Sequence, residues 1–379
     1  IFLGFVVLLL RTLILWGRGY DERFDLWVFG VGQPLGKIYS SLKDIFAVLV
    51  LAGAVVFFYY RLVVKPERMS KGFEGILILM IISTMMIADI LYDGASIARH
   101  AKVHRSAAAF DMVEPAGSIV AMALKGLSDG ALNCLRHVGF WTHGTLVLLF
   151  LNLLPISKHF HVITGIPNVF FQTLAPRGRL PNVADIEGKI EREETLGLKR
   201  IDQLSWKGVL DLYTCTECGR CTDHCPAANT GKLLSPKQLT LDLRDYLYAN
   251  EKNLTGGNGN GDIGELVPQF IKPEVLWACT TRGACETECP VFITYVDKIV
   301  DMRRNLVMEK SEFPAELQNA FRGMESNSNP WNFPSSDRAA WAEGLDVPRM
   351  SGKPGAAVLF WVGCSASYDD RAKKIARAT

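Results

Sequence analysis

Neither charge dominates this chain: 41 Lys and Arg stand against 39 Asp and Glu over 379 residues, a formal net charge of +2. Nucleic-acid binders usually carry a strong basic excess, so the balance argues against that class of partner. Charge of either sign is scarce at the front. Residues 1–160 hold 15 basic and 11 acidic side chains, whereas 161–379 hold 26 and 28. Cysteine is almost missing from the same stretch, Cys134 being the only one of nine before residue 161, and seven of the others fall in two short clusters. An odd number packed so tightly is not the disulfide framework of a secreted domain; it is a metal-ligand pattern suited to a reducing compartment.

Four stretches are apolar enough to cross a bilayer, which takes roughly 20 residues: Ile1–Trp16, Ile45–Val64, Gly75–Tyr92 and Val138–Ile156. A cleaved signal peptide would be one such stretch. The connection bearing Arg61, Lys65, Arg68 and Lys71 is basic and is therefore expected on the cytoplasmic side, as are Lys158, Arg177 and Arg179 after the last span. Two spans must then separate these segments. Residues 116–135, with Lys125 and Asp129 in their middle, are expected to lie at the outer surface as an amphipathic helix. The chain opens inside an apolar run and reads as a piece of a longer protein.

Beyond residue 166 the pattern turns polar and helical, with breaks at Pro176 and Pro181. The Gly/Asn stretch 255–262 has no Lys after its glycines and no strand before it, so a phosphate-cradling loop is disfavoured. Ala356–Val362 (AAVLFWV) reads as a buried strand feeding a helix.

Cys215-x2-Cys218-x2-Cys221-x3-Cys225-Pro226 is the ferredoxin-type iron–sulfur run. Three thiolates on one tight turn each reach an iron of a cubane, and the fourth ligates the other cluster of a two-cluster protein. The rival reading is zinc, whose sites more often pair well-separated C-x2-C units. Cys279-x5-Cys285-x3-Cys289-Pro290 follows the same template with Arg282 in place of its second ligand. By the crossed rule, Cys215, Cys218, Cys221 and Cys289 hold a complete [4Fe–4S] cluster, while Cys225, Cys279 and Cys285 supply three thiolates to a second. A guanidinium has no acceptor and cannot replace a thiolate. The second site is then a [3Fe–4S] cluster, a [4Fe–4S] cluster with another ligand, or empty; the three-cysteine cluster is favoured.

His143 and His161 would share one face of a straight helix, about 27 Å apart, as two stacked b-type haems require. Pro155 between them makes that phase approximate. Histidine in or at the edge of a span marks a functional site by default, the plain alternative being ordinary interfacial histidines. The spans Ile45–Val64 and Gly75–Tyr92 contain none, and His100 and His104 sit among basic residues in the outer loop.

WTHGTLVLLFLNLLPISKHFHVITGIPNVFF resembles the haem-bearing helix of the nitrate reductase gamma-subunit superfamily, and CTECGRCTDHCPAANTGKLLSPK resembles membrane-bound heterodisulfide-reductase-related iron–sulfur oxidoreductases. These fuse a cytochrome b-like membrane domain, a two-cluster helical ferredoxin domain and cysteine-rich CCG domains, and they include electron-transfer-flavoprotein:menaquinone oxidoreductases. The resemblance implies haem b at His143 and His161, one haem or two. The partner histidines would lie on the first helix, yet Phe2–Trp16 has none, so a single haem through His161 is favoured. FWVGCSASYDDR resembles the opening of a CCG domain, with Cys364 as its first cysteine.

The expected fold is mainly α. A nitrate reductase gamma-like transmembrane bundle (1–166, four spans in this chain) precedes a helical two-cluster ferredoxin domain (167–350) and the start of an α/β CCG domain (351–379). The implied function is a multi-pass oxidoreductase of a bacterial or archaeal cytoplasmic membrane, its iron–sulfur domain on the cytoplasmic side. It would pass electrons between a cytoplasmic donor, such as electron-transfer flavoprotein, and the menaquinone pool. The alternatives are a quinol-linked heterodisulfide reductase and a non-catalytic membrane anchor and electron conduit for a soluble enzyme.

Overall fold

The computed structural model describes residues 2–21, 24, 26–30, 33–70, 72–103, 110–176, 179–180, 182–255, 263–352, 355 and 357–379, the side chains of 2–5 and 352 excepted. Among the described residues every regular element is a helix. The N-terminal part forms α1 (Phe2–Tyr20), α2 (Pro34–Tyr59), α3 (Phe73–Val103), α4 (Pro115–Leu124), α5 (Asp129–Leu153) and α6 (His161–Phe170). Among the described residues three are long and apolar enough to span a membrane: Pro34–Val64, Phe73–Val103 and Asp129–Ile156. The other expected stretch, Ile1–Trp16, starts outside the described residues and otherwise falls in α1, which carries Arg11 at its centre.

The spans run past their apolar cores, because a helix continues until its backbone meets a cap rather than where its hydropathy falls. Val48, Leu49, Val55, Val56 and Phe57 of α2 face outward, a surface suited to lipid. Inside, small residues let helices approach closely. A Cβ at Gly139 of α5 would sit 2.8 Å from the Ala88 carbonyl oxygen of α3, and one at Gly94 would sit 3.1 Å from that of Gly117 of α4.

The single surface helix expected over 116–135 is corrected. Ser128 accepts from the Ala131 N–H at 3.2 Å and caps α5, so residues from Asp129 onward belong to the span. Only α4 remains apart. Its ten residues reach about 15 Å, too short to cross, and it buries Gly117, Ser118 and Ala121.

The straight helix expected through His143 and His161 is also broken. After α5 come a 3-10 turn at Leu154–Ile156, extended Ser157, a second turn at Lys158–Phe160, and then α6. Pro155 removes a backbone donor, and Ser157 closes the gap by donating to the Leu154 carbonyl and accepting from the His159 N–H.

The chain divides into two compact units, residues 1–182 with 198–300, and 183–197 with 301–379. The first contains the bundle and both cysteine runs, with α7 (Trp206–Thr214), α8 (Pro236–Ala249) and the start of α9 (Val296–Arg304). In the second, buried Asn329 donates to the Asn327 and Phe333 carbonyls and accepts from the Phe333 N–H, while Phe333 stacks on Tyr368. The strand expected over Ala356–Val362 is not formed among the described residues, and Val358, Leu359 and Trp361 are exposed. A strand needs a ladder partner, and no other strand lies among the described residues.

Candidate functional site

The two cysteine runs adopt one backbone design. In the first, Cys215 follows α7, Glu217 (φ 55) and Gly219 (φ 77) turn the chain through left-handed conformations, and the short helix Arg220–Asp223 carries Cys221. In the second, Cys279 is followed by Thr281 (φ 55) and Gly283 (φ 70), and the short helix Ala284–Thr287 carries Cys285. Each run closes on Cys-Pro. Arg282 occupies the position of Cys218 on the repeated turn, with its side chain exposed.

Cys215, Cys218, Cys221 and Cys289 line one cavity, together with Lys237, Ile293 and Tyr295. Among the described residues no three metal-ligating side chains converge on a single ion position. Four thiols spread around a cavity suit a cluster several ångströms wide better than one ion. Leu241, Ile293, Tyr295 and Val296 pack around the thiols. Burial pushes the Cys215 thiol up to about 12 and also raises Cys221 and Cys285. Thiolates in such surroundings need a cation, which iron supplies when bound. Cys289 Sγ accepts from the Ile293 N–H at 3.4 Å and the Tyr295 hydroxyl at 3.9 Å. Cys285 feels Cys279 and Cys225 as well as Cys221 of the first cavity, and Thr281 donates its N–H to Cys279 Sγ at 3.4 Å.

Two residues outside the cysteine spacing belong to the site. Arg244 of α8 donates to Glu217 at 2.9 Å, both side chains being nearly buried, which braces the first turn from behind. Tyr295 supplies the hydroxyl at Cys289. Neither has a signal in the motif, since both reach the turns only through folding.

The cavity rests on the end of the bundle. Asn168 of α6 donates to the Val291 carbonyl at 2.8 Å, and Val291 lines the cavity. Phe160 packs edge-on against Tyr213 at 5.7 Å. From the connection between α2 and α3, Arg68 lies against Gly219, its backbone carbonyl accepts from Lys237 at 2.8 Å, and its guanidinium pairs with Asp223. The basic connection and the cysteine runs therefore lie at one end of the bundle.

The histidines part company. His143 is 2% exposed, with Nε2 3.3 Å from the Thr12 hydroxyl and Nδ1 3.4 Å from the Met85 carbonyl. One turn away, α3 and α5 touch at Gly139. His161 places Nδ1 2.7 Å from the Lys158 carbonyl, the arrangement that leaves Nε2 for a metal. The break before α6 brings the His159 and His161 rings to 5.6 Å apart. Burial, then His161, Lys158 and Arg61, push the His159 imidazole down to about 4. His100 is exposed at the end of α3, and His104 lies outside the described residues. Cys364 opens a short helix in the second unit, with Arg338 Nη2 3.5 Å from its sulfur.

Residues 207–290 match the 4Fe-4S dicluster domain family. The chain is 32% identical to the probable iron-sulfur-binding oxidoreductase FadF of Bacillus subtilis, over 92% of this chain and 54% of that protein. It is 32% identical to the EtfAB:quinone oxidoreductase of Syntrophomonas wolfei, over 90% of this chain and 51% of that one. A dihydromethanophenazine:CoB–CoM heterodisulfide reductase polypeptide of Methanosarcina barkeri is 30% identical over 43% of this chain and 40% of its own length. The chain thus spans about half the length of the first two relatives. No solved structure matches. The paired runs, the dicluster match and these relatives together make the chain similar to heterodisulfide-reductase-related iron–sulfur oxidoreductases.

Proposed function

We propose that the chain carries electrons between a soluble donor on the cytoplasmic side and a quinone in the membrane. The observation that supports this most is the junction: Val291 and Gly219, which line the thiol cavity, are held directly by Asn168 and Arg68 of the membrane bundle. Cys215, Cys218, Cys221 and Cys289 would hold a [4Fe–4S] cluster, Cys225, Cys279 and Cys285 a three-thiolate cluster, and His161 a haem b. Bound there, these groups supply one-electron redox capacity. The chain's own part is positional. Tyr295 and the Ile293 N–H donate toward the ligand sulfur, Leu241 and Val296 exclude water, and Arg244 fixes Glu217 on the first turn. The EtfAB:quinone relative supports electron-transfer flavoprotein as the donor and a quinone as the acceptor, and the resemblance of the sequence to menaquinone-linked oxidoreductases favours menaquinone.

The test is an anaerobic visible spectrum of the full-length protein in membranes, taken with reduced flavoprotein, with a menaquinol analogue and with dithionite. The reading expects iron–sulfur bleaching by the flavoprotein and a haem b band reducible by the quinol. A haem band seen only with dithionite removes the quinone link. Reduction of a disulfide by quinol, with no response to the flavoprotein, would favour the heterodisulfide alternative.

A further inference from the structure

Helix α6 has two unlike faces. One is occupied. The Thr164 hydroxyl reaches the Tyr213 carbonyl at 3.5 Å, Asn168 donates to the Val291 carbonyl at 2.8 Å, and a Cβ at Gly165 would meet Val291 at 3.9 Å. That face rests on the segments that carry Cys215 and Cys289. The other face is bare and apolar. Ile163, Ile166 and Phe170 are all exposed, Phe170 by 79%, and they recur at i, i+3 and i+7, which is one stripe of a helix.

The stripe continues beyond the helix. Phe170 packs edge-on against Phe171 at 4.9 Å, and Phe171 against Trp206 at 5.1 Å. An aromatic chain therefore runs from α6 to the first residue of α7, where Trp206 is 64% exposed. Leu174, shortly after α6, is exposed as well. Apolar side chains scattered singly are ordinary on a protein surface. A contiguous set along one helix and its neighbour marks an interaction surface.

Position points to the occupant. Only residues 157–160 separate α6 from the span Asp129–Ile156, and Ile156 is itself exposed. Lys158 donates its N–H to Glu74, at the start of α3, at 2.9 Å, so this is the end of the bundle where the span Pro34–Val64 exposes Val63 and Val64. The stripe thus extends a surface suited to lipid. Depth follows from the helix itself. Ten residues reach about 15 Å, too short to cross. Pro167 also withholds the N–H that the Ile163 carbonyl would accept, and water at the headgroup level satisfies such a carbonyl where hydrocarbon does not. Tryptophan is favoured at that same level.

We propose that α6 lies in the plane of the bilayer surface on the iron–sulfur side, with Ile163, Ile166, Phe170 and the Phe171–Trp206 pair inserted among lipid headgroups and upper acyl chains. The helix is then a strap with two faces: lipid holds one, and the other holds the Tyr213 and Val291 segments beside the thiol cavity. It works without regard to which donor or acceptor the protein serves.

Two measurements on the full-length protein in lipid nanodiscs test this. Photoreactive benzoylphenylalanine in place of Phe170 should, on irradiation, give a lipid adduct detected by mass spectrometry. An adduct to protein, whether this chain, a second copy or another polypeptide, overturns the proposal, and so does the absence of any adduct. The second measurement keeps the native α6. Trp206 emission, taken as the difference between wild type and Trp206→Phe, should be quenched more strongly by lipid brominated high on its acyl chains than by lipid brominated near their ends. Stronger quenching by the deep label would place the aromatic chain in the hydrocarbon core, and no quenching by either would place it in water. Each of those results overturns the interfacial strap.

Discussion

Arg282 sits where its turn would otherwise present a thiol. The backbone there repeats the first run, left-handed residues included, so a cysteine at this position would stand where Cys218 stands on the first turn. Its exposed cation also favours the reduced, more negative state of a neighbouring cluster. We expect Arg282→Cys to convert a [3Fe–4S] centre to [4Fe–4S]. The oxidised protein should lose its three-iron paramagnetic resonance signal and gain about one iron per chain. Cys289→Ser should instead disturb the other cluster, because Cys289 shares its cavity with Cys215, Cys218 and Cys221. An unaltered spectrum in Arg282→Cys would mean the second trio holds no cluster. The cysteine positions were legible because a metal imposes its spacing on the chain. Tyr295 and Arg244 were not, since a hydrogen bond made across the fold imposes no spacing.

Among the elements, α3 and α5 meet most intimately. Gly139 has the Ala88 carbonyl oxygen at 2.8 Å and Tyr92 at 3.0 Å from where a Cβ would stand. Apolar side chains gain nothing by leaving lipid, so close packing rather than burial holds such helices together. Gly139→Leu should destabilise the bundle by about 1–3 kcal/mol, read as a lower midpoint of thermal unfolding in detergent. Gly53→Leu on α2, where nothing lies within 4 Å, should change stability by no more than about 0.5 kcal/mol. Equal effects would show that the α3–α5 seam is not the weak point. Hydropathy located α2, α3 and α5, yet it missed where they end and treated α5 and α6 as one rod. Caps such as Ser128 and breaks such as Pro155 act on one or two residues, beneath the resolution of a hydropathy window.

At the scale of the molecule, one buried carboxylate ties the iron–sulfur domain together. Asp211 of α7 accepts from the Thr294 N–H and hydroxyl and from Lys207 and Lys298, joining α7 to the segment after Cys289 and to α9. Burial alone would raise its carboxyl, but Lys298 and Lys207 outweigh it and hold it below the usual range. A depressed folded value contributes stability that is present above the ordinary carboxylate pKa, about 3.9, and is lost as pH falls through the folded value. Wild type should therefore lose iron–sulfur absorbance progressively below about pH 4. Asp211→Asn leaves Lys298 buried without its partner, at a cost of about 3–5 kcal/mol. Its stability should be lower at neutral pH and flatter through the acid range. A variant with the wild-type acid profile would remove Asp211 from this role.

The sequence by itself determined the chemistry: two ferredoxin-type runs, the trio left short by Arg282, and apolar stretches able to span a membrane, because metal ligation and lipid each impose a pattern on neighbouring residues. Only the tertiary structure decided what depends on residues far apart in the chain. It broke the helix between His143 and His161 and surrounded the first with Thr12 and Met85. It also gathered Arg11, Lys43, Asp89, Asp93 and Glu114 from four segments into one buried group. A lone charge in a hydrophobic run has no visible counterpart in sequence; its partner is chosen by which helix faces pack together.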